Sequence, residues 1–265
     1  MYVSLKMLLN MGVMSNSEIK WLRSLTQKKF RDEYGVFVVE GEKMVAEAVK
    51  SGFEVERIWR TEEIGADAMA RISSLSSPSP ALAVVRKPEG LRLGDPEDVA
   101  DALGVRGLFL ALDTIRDPGN LGTIIRVADW FGIDAVFASP DTVDAFNPKV
   151  VQATMGAIFR VKLHYCDLLA LADAVSNSGG HLYGTFLDGQ DIYRRTLSTG
   201  ADSPAMIVIG NESNGISPQL GARIRERLFI PSWPAGAQTS ESLNAAVATA
   251  ITVAEFRRRE AYGRQ

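Results

Sequence analysis

The chain reads as an α/β protein: a mostly parallel sheet covered by helices on both faces, preceded by a small α/β unit. Three observations predict this. Apolar runs of strand length alternate with amphipathic stretches of helical length from about residue 36 to residue 259. Several of the runs, such as GLFLALD (107–113) and AMIVIG (205–210), are continuously apolar, the pattern of strands buried on both faces. Between two such series lies KPEGLRLGDPEDVADALG (87–104), a mixture of Pro, Gly and acidic residues with the composition of a connector.

In order, Ser15 followed by Glu18 forms a capping box that opens a first helix, with Ile19, Leu22 and Leu25 at helical spacing. KKFRDEYG (28–35) is polar and reads as a loop. VFVVEG (36–41), EVERIWR (54–60) and ALAVVRK (81–87) read as strands, separated by helices over 42–52 and 68–75. The second series places strands at 107–113, 134–139, 159–165, 181–188, 205–210 and 227–232. Helices fall near 121–131, after Pro148, over 167–179, shortly after Ser217, and from about 242 to 259. The expected boundaries are a leader over 1–14, a first domain over 15–90, a linker over 91–105 and a second domain over 106–265.

With 265 residues, 46% hydrophobic and 23% charged, the chain can bury a sizeable core. Its net charge of −3 does not advertise nucleic-acid binding, so any contact with RNA must be local. One stretch provides that: residues 15–31 hold five basic side chains, Lys20, Arg23, Lys28, Lys29 and Arg31, against Glu18, with Trp21 and Phe30 among them. A solvated helix face gives the same pattern. The single cysteine, Cys166, rules out a disulfide within the chain and points to a reducing compartment, the cytoplasm. With only His164 and His181 beside it, the inventory excludes a structural zinc site, and no metal is expected. A His164–Cys166 nucleophilic pair competes poorly with a hydrogen-bonded histidine next to a small structural cysteine. No run reaches the ~18 apolar residues of a membrane span, and the apolar start lacks a cleavage site for a signal peptide.

Ligands of open parallel sheets bind beyond the carboxyl ends of strands, and three loops there have unusual composition. In DTIRDPGNLGTIIR (113–126), Asn120 is either a helix cap or a site residue, and Arg126 either a surface ion-pair residue or a functional cation. In IGNESNGIS (209–217), glycines flank the polar run Asn211–Asn214, including Glu212; a plain connection would need one glycine, not two. In FIPSWPAGAQTSESLNAAVATAI (229–251), either Ser242 or Asn244 opens a long helix whose alanine-rich start permits close packing. A dinucleotide-dependent oxidoreductase would show G-x-G-x-x-G directly after a strand, and the first loop lacks that spacing.

In this order, NLGTIIR, IGNESNGIS and IP…SLNAAVA resemble the three motifs of the SpoU/TrmH RNA 2′-O-methyltransferases, a branch of the SPOUT class. LRSLTQKKFRDEYGVFVVEGEKMVAEAV is similar to that family's substrate-binding domain. One departure is WPAGAQTSE, which makes the third loop longer than the family pattern. The resemblance implies a parallel-sheet domain with a deep trefoil knot, S-adenosylmethionine as methyl donor with S-adenosylhomocysteine as product, and a homodimer. It implies catalytic roles for Asn120, Arg126, Glu212, Ser242 and Asn244, and cofactor contacts at Gly210, Ile230 and Leu243. It leaves the general base unassigned; because a guanidinium stays protonated, Arg126 is read as a bidentate grip on an RNA phosphate. Ribosomal RNA is preferred to transfer RNA as substrate. A catalytically silent RNA-binding protein on the same fold is the alternative, and the joint retention of Asn120, Arg126, Glu212 and Asn244 speaks against it.

Overall fold

The computed structural model describes residues 14–234 and 240–263; the leader, apart from Met14, lies outside them. The chain forms two compact units. The elements of the first are α1 (Asn16–Ser24), α2 (Lys28–Tyr34), β1 (Val36–Glu40), α3 (Glu42–Lys50), β2 (Val55–Arg60), α4 (Thr61–Ile64), α5 (Ala66–Ile72) and β3 (Ala81–Arg86). The second begins with α6 (Pro96–Leu103), β4 (Gly107–Leu112), α7 (Pro118–Trp130) and β5 (Ala135–Ala138). An excursion carrying α8 (Pro148–Thr154) follows, and then β6 (Leu163–Tyr165), α9 (Leu168–Asn177), β7 (His181–Asp191), β8 (Pro204–Ile209), α10 (Pro218–Gly221), β9 (Glu226–Phe229) and α11 (Ala245–Tyr262).

In the first unit β3 lies between β1 and β2 and runs antiparallel to both. The Ser15 side chain accepts from the Glu18 amide and caps α1, as the capping box predicts. Ile19, Leu22 and Leu25 pack with Trp59, Met69 and Ile72 over Val36, Val38, Leu82 and Val84 of the sheet. Phe37 points to the other face and meets Phe146 and Phe159 at ring-centroid distances of 4.5 and 6.3 Å. Those two rings come from Asp144–Arg160, the excursion between β5 and β6, which groups with the first unit although the sequence assigns it to the second.

Arg31 explains how the excursion is held. Its side chain is 1% exposed. It donates to Asp144 Oδ2 from Nε (3.2 Å) and Nη2 (2.6 Å), and from Nη1 to the Leu25 and Thr26 carbonyls, each at 2.8 Å. The residues read as the loop KKFRDEYG are therefore helical, ended by Gly35 at φ 66°. The helix turns Arg31 inward and leaves Lys28 and Lys29 outside. Arg31 is accordingly withdrawn from the basic surface expected to meet RNA. Lys28 and Lys87 both pair with Asp32. Burial works against the ionised Asp32, but hydrogen bonds from these two lysines hold its carboxyl below the usual range.

The second unit is built on a six-stranded, all-parallel sheet in the order β6-β5-β4-β8-β7-β9. One face buries Phe109, Ala111, Phe137, Met206 and Val208 against Leu168, Leu171 and Val175 of α9. That cluster also contains Val99 and Leu103, so half of the expected linker is α6. Pro96 starts this helix, and its apolar side chains four residues apart are each 2% exposed. On the other face α7 and α11 pack together, with Leu121, Ile124, Ile125 and Ala128 of one and Ala245, Ala246, Thr249, Val253 and Phe256 of the other buried. The strand expected over 159–165 is shorter, because Ala157–Phe159 forms a 3-10 turn in the excursion. Two arginines near the end of α11 tie it to neighbouring segments. Arg257 donates to the carbonyls of Phe131 and Gly132 just past α7, and Arg259 to those of Ile192, Tyr193 and Arg195. Among the described residues no helix is long and apolar enough to cross a membrane.

Candidate active site

β4 lies at the switch point of the sheet. From it the chain passes outward through β5 to β6, while β8, β7 and β9 lie on its other side. The loops after β4 and β8 therefore open into one crevice. The β4 loop starts at Asp113, 6% exposed, whose Oδ2 accepts from the Ser217 amide at 2.7 Å and so ties it to the β8 loop. Thr114 follows at φ 60°, an uncommon conformation for a β-branched residue, and directs its carbonyl to Asn211 Nδ2 at 2.7 Å. Asp117 then caps α7 by accepting from the Asn120 amide at 2.8 Å, and Pro118 occupies the first turn.

The loop after β8 closes on itself. Asn211 and Gly215 exchange two backbone hydrogen bonds of 2.9 Å, and Asn211 Oδ1 accepts from the amides of Ser213 and Asn214. Gly210 makes this possible: a Cβ there would stand 2.2 Å from the carbonyl carbon of Gly215 and 2.3 Å from the nitrogen of Ile216. The loop presents Glu212 outward. At the start of α11, Asn244 Oδ1 accepts from the amides of Ala246 and Val247. Asn244, not Ser242, is the cap.

These three loops are joined by side chains. Asn244 Nδ2 donates to Asn120 Oδ1 at 2.8 Å, and Asn120 Nδ2 donates to Glu212 Oε1 at 2.8 Å. The polarity of the relay follows from its ends. Helix N-terminal amides only donate and an ionised carboxylate only accepts, so each asparagine must turn its oxygen toward α11 and its amide toward Glu212. Asn120 is thereby freed from the capping role that the sequence allowed it, since Asp117 performs that task. Arg126, further along α7, is exposed, and no described residue takes its guanidinium in a hydrogen bond or ion pair. Ser242 is exposed and stands outside the relay. Gly210 is buried, Ile230 is half-buried directly after β9, and Leu243, next to Asn244, is 47% exposed.

The structure adds three residues that sequence reasoning missed: Asp113, Asp117 and Asn211. Their signal was their position immediately after apolar strands or before Pro-Gly, where a side-chain acceptor for loop amides is needed. His164 and Cys166 do not form a reactive pair. His164 Nδ1 bonds the Gly90 carbonyl at 2.8 Å, and burial, with Asp167 nearby, pushes the Cys166 thiol up to about 12. A cavity of about 910 Å³ lies beside Tyr183, His181, Glu226 and Arg195, lined by none of the three loops. Its central groups already satisfy one another, His181 and Arg195 through Glu226, so the relay is the better candidate for chemistry.

Gly210, Ile230 and Leu243 offer main-chain polar groups beside aliphatic side chains, and Glu212 is the one charge in the relay. A purine, a neutral amino-acid tail and a sulfonium suit that donor set. An all-parallel sheet whose switch-point loops are bound into one amide–carboxylate relay, without a dinucleotide turn, gives that donor set its place in the fold; similarity to known proteins identifies the class as an S-adenosylmethionine-dependent RNA methyltransferase. The chain belongs to the SpoU rRNA Methylase family, whose model matches residues 107–254, while an MRM3-like substrate binding domain matches residues 16–85. It is similar to the Bacillus subtilis 23S rRNA (guanosine(2553)-2′-O)-methyltransferase, with 33% identity over 91% of this chain and 96% of the relative. The zebrafish (Danio rerio) mitochondrial rRNA methyltransferase 3A is 30% identical over 87% of this chain and 66% of its own length. Among solved structures, a TrmH-family protein from Porphyromonas gingivalis superposes with a TM-score of 0.80 at 37% identity, covering 94% of this chain and 100% of that one. An S-adenosylmethionine-bound rRNA methyltransferase from Sinorhizobium meliloti does so with a TM-score of 0.80 at 28% identity, over 94% and 97%.

Proposed function

We propose that this chain transfers a methyl group from S-adenosylmethionine to a ribose 2′-hydroxyl of ribosomal RNA, with Asn120, Arg126, Glu212, Ser242 and Asn244 around the reacting atoms. The observation that carries the residue assignment is the Asn244–Asn120–Glu212 relay, which draws one side chain from each motif loop into a single chain of hydrogen bonds. S-adenosylmethionine, held by Gly210, Ile230 and Leu243, supplies a methyl group on a sulfonium, activated for in-line displacement. The protein's task is then positioning and proton handling. Asn120 fixes Glu212 through Oε1, which leaves Oε2, with a single 3.4 Å contact to Asn211, as the acceptor that orients the ribose hydroxyl. Arg126, whose guanidinium no described residue takes, grips an adjacent RNA phosphate through its planar fork.

Lys20, Arg23, Lys28 and Lys29 supply the basic RNA surface of the first unit; all four are exposed, and among the described residues only Lys28 of these is committed to an ion pair. The active form is a homodimer: Trp130 at the end of α7 is 84% exposed, and Leu243 and Val247 at the start of α11 are each 47% exposed. The knot expected for the second unit and a cytoplasmic location complete the reading. The test is incubation with unmodified ribosomal RNA and labelled S-adenosylmethionine, followed by mapping of 2′-O-methyl positions. The nucleotide matching guanosine 2553, which names the Bacillus relative, is examined first. Label in ribose 2′-O-methyl groups supports the reading. Cofactor binding without transfer to ribosomal RNA, transfer RNA or their precursors refutes it in favour of a silent RNA binder.

A further inference from the structure

On the first unit, α1 and α2 set three aromatic rings side by side. Phe30 and Tyr34 lie one turn apart on α2 with planes within 15° of parallel and centroids 6.4 Å apart, and Trp21 of α1 meets Tyr34 edge-on at 6.1 Å. Trp21 and Phe30 are seated on the core of the unit, so the group is anchored from below. Tyr34 is the outer ring, 43% exposed, and Lys29 stands over Phe30 at 5.7 Å. Core packing accounts for Trp21 and Phe30 but not for an exposed ring held in a fixed plane by two neighbours.

The charges around this group favour an anionic partner. Lys20 and Arg23 flank Trp21 on α1, and neither side chain is taken by a described residue. Of the acids close in sequence, Glu18 is paired with Arg57 and Asp32 with Lys28 and Lys87, which leaves Glu33 alone. A fixed, exposed aromatic face beside uncommitted cations is how proteins hold an unpaired nucleotide: the base stacks and the cations follow its phosphates. A paired base hides its faces in the helical stack and offers Tyr34 nothing. We propose that Tyr34, braced by Trp21 and Phe30, is a stacking site for an unpaired nucleobase of the RNA substrate, with Lys20, Arg23 and Lys29 holding the flanking phosphates.

This rests on the RNA methyltransferase reading, and the experiment separates the two. Full-length protein is titrated with a labelled ribosomal RNA hairpin bearing an unpaired loop, and with a duplex of the same length lacking unpaired bases; S-adenosylmethionine affinity is measured alongside. Tyr34→Ala should weaken hairpin binding about tenfold, leave duplex binding within about twofold, and leave cofactor affinity unchanged. Tyr34→Leu, which keeps apolar bulk without a π face, should lose as much, and Tyr34→Phe should retain wild-type affinity. Equal weakening of hairpin and duplex, or no weakening of either, overturns the stacking site while the methyltransferase reading stands. Full affinity in Tyr34→Leu overturns it too, since bulk alone would then suffice.

Discussion

Replacing Arg126 by lysine or by alanine should remove turnover and leave folding and cofactor binding intact. The magnitudes follow from what the side chain touches. No described residue accepts from its guanidinium and it is exposed, so truncation breaks no internal bond and stability should stay within about 0.5 kcal/mol of wild type. Gly210, Ile230 and Leu243, assigned to the cofactor, lie on other elements, so the dissociation constant for S-adenosylmethionine should change by less than about twofold, under roughly 0.4 kcal/mol. A phosphate held by a planar fork is another matter. Lysine keeps the charge but loses the two parallel bonds, and the ribose hydroxyl loses its alignment. A loss of about 100-fold in single-turnover rate, near 2.7 kcal/mol in the barrier, is expected for both variants. The assay is single-turnover methylation of one ribosomal RNA fragment at saturating enzyme, with cofactor affinity measured by calorimetry on the same preparations. Near-normal rates in Arg126→Ala would take the residue out of the mechanism, and a large change in cofactor affinity would show that it serves the wrong ligand.

Three further outcomes are expected. Gly210→Ala drives a methyl group into the backbone of Gly215 and Ile216 and should open the 211–215 loop; S-adenosylmethionine binding should vanish in calorimetry and stability fall by about 2 kcal/mol. Arg31→Met strands the Asp144 carboxylate and the Leu25 and Thr26 carbonyls, so urea denaturation should show a loss of about 3 kcal/mol or more, with Asp144→Asn costing less. Hydrogen bonds from Arg258, opposed by burial and supported by Arg259, hold the Glu255 carboxyl below its ordinary 4.5. A depressed folded value stabilises above about pH 4.5 and fades as pH falls through it, so the melting-temperature deficit of Glu255→Gln should be full at pH 7 and shrink below pH 4.5.

What the sequence revealed and what it concealed divide along the range of the interactions. The three loops were legible because each carries its own signal, an apolar strand followed by a short segment rich in Gly, Asn or Pro that leads into a helix. Their joining was not, because a hydrogen bond from Asn244 to Asn120 spans 124 residues and depends on the order of strands in the sheet. Asn120 looked like a cap because the local pattern offers two candidates, and only Asp117 reaches the free amide. KKFRDEYG looked like a loop because five of its eight residues are charged, until its arginine is seen turned inward to a carboxylate 113 residues away. The same blindness hid α6, whose Val99 and Leu103 have apolar partners on other elements among the residues around them.

The excursion from Asp144 to Arg160 bears on how the protein is made. A ribosome releases β1 long before the side chains that cover one of its faces. Phe37 is synthesised early, while Phe146, Phe159 and the Asp144 partner of Arg31 arrive more than a hundred residues later. At translation speeds of about 5–20 residues per second, that is an interval of roughly 5 to 25 s. During it, Phe37 has Phe53 beside it but lacks the rings of Phe146 and Phe159, and Arg31 lacks its counter-ion. Apolar surface left open in this way is prone to aggregation, and a ribosome stalled between β5 and α8 would display the first unit without its last segment.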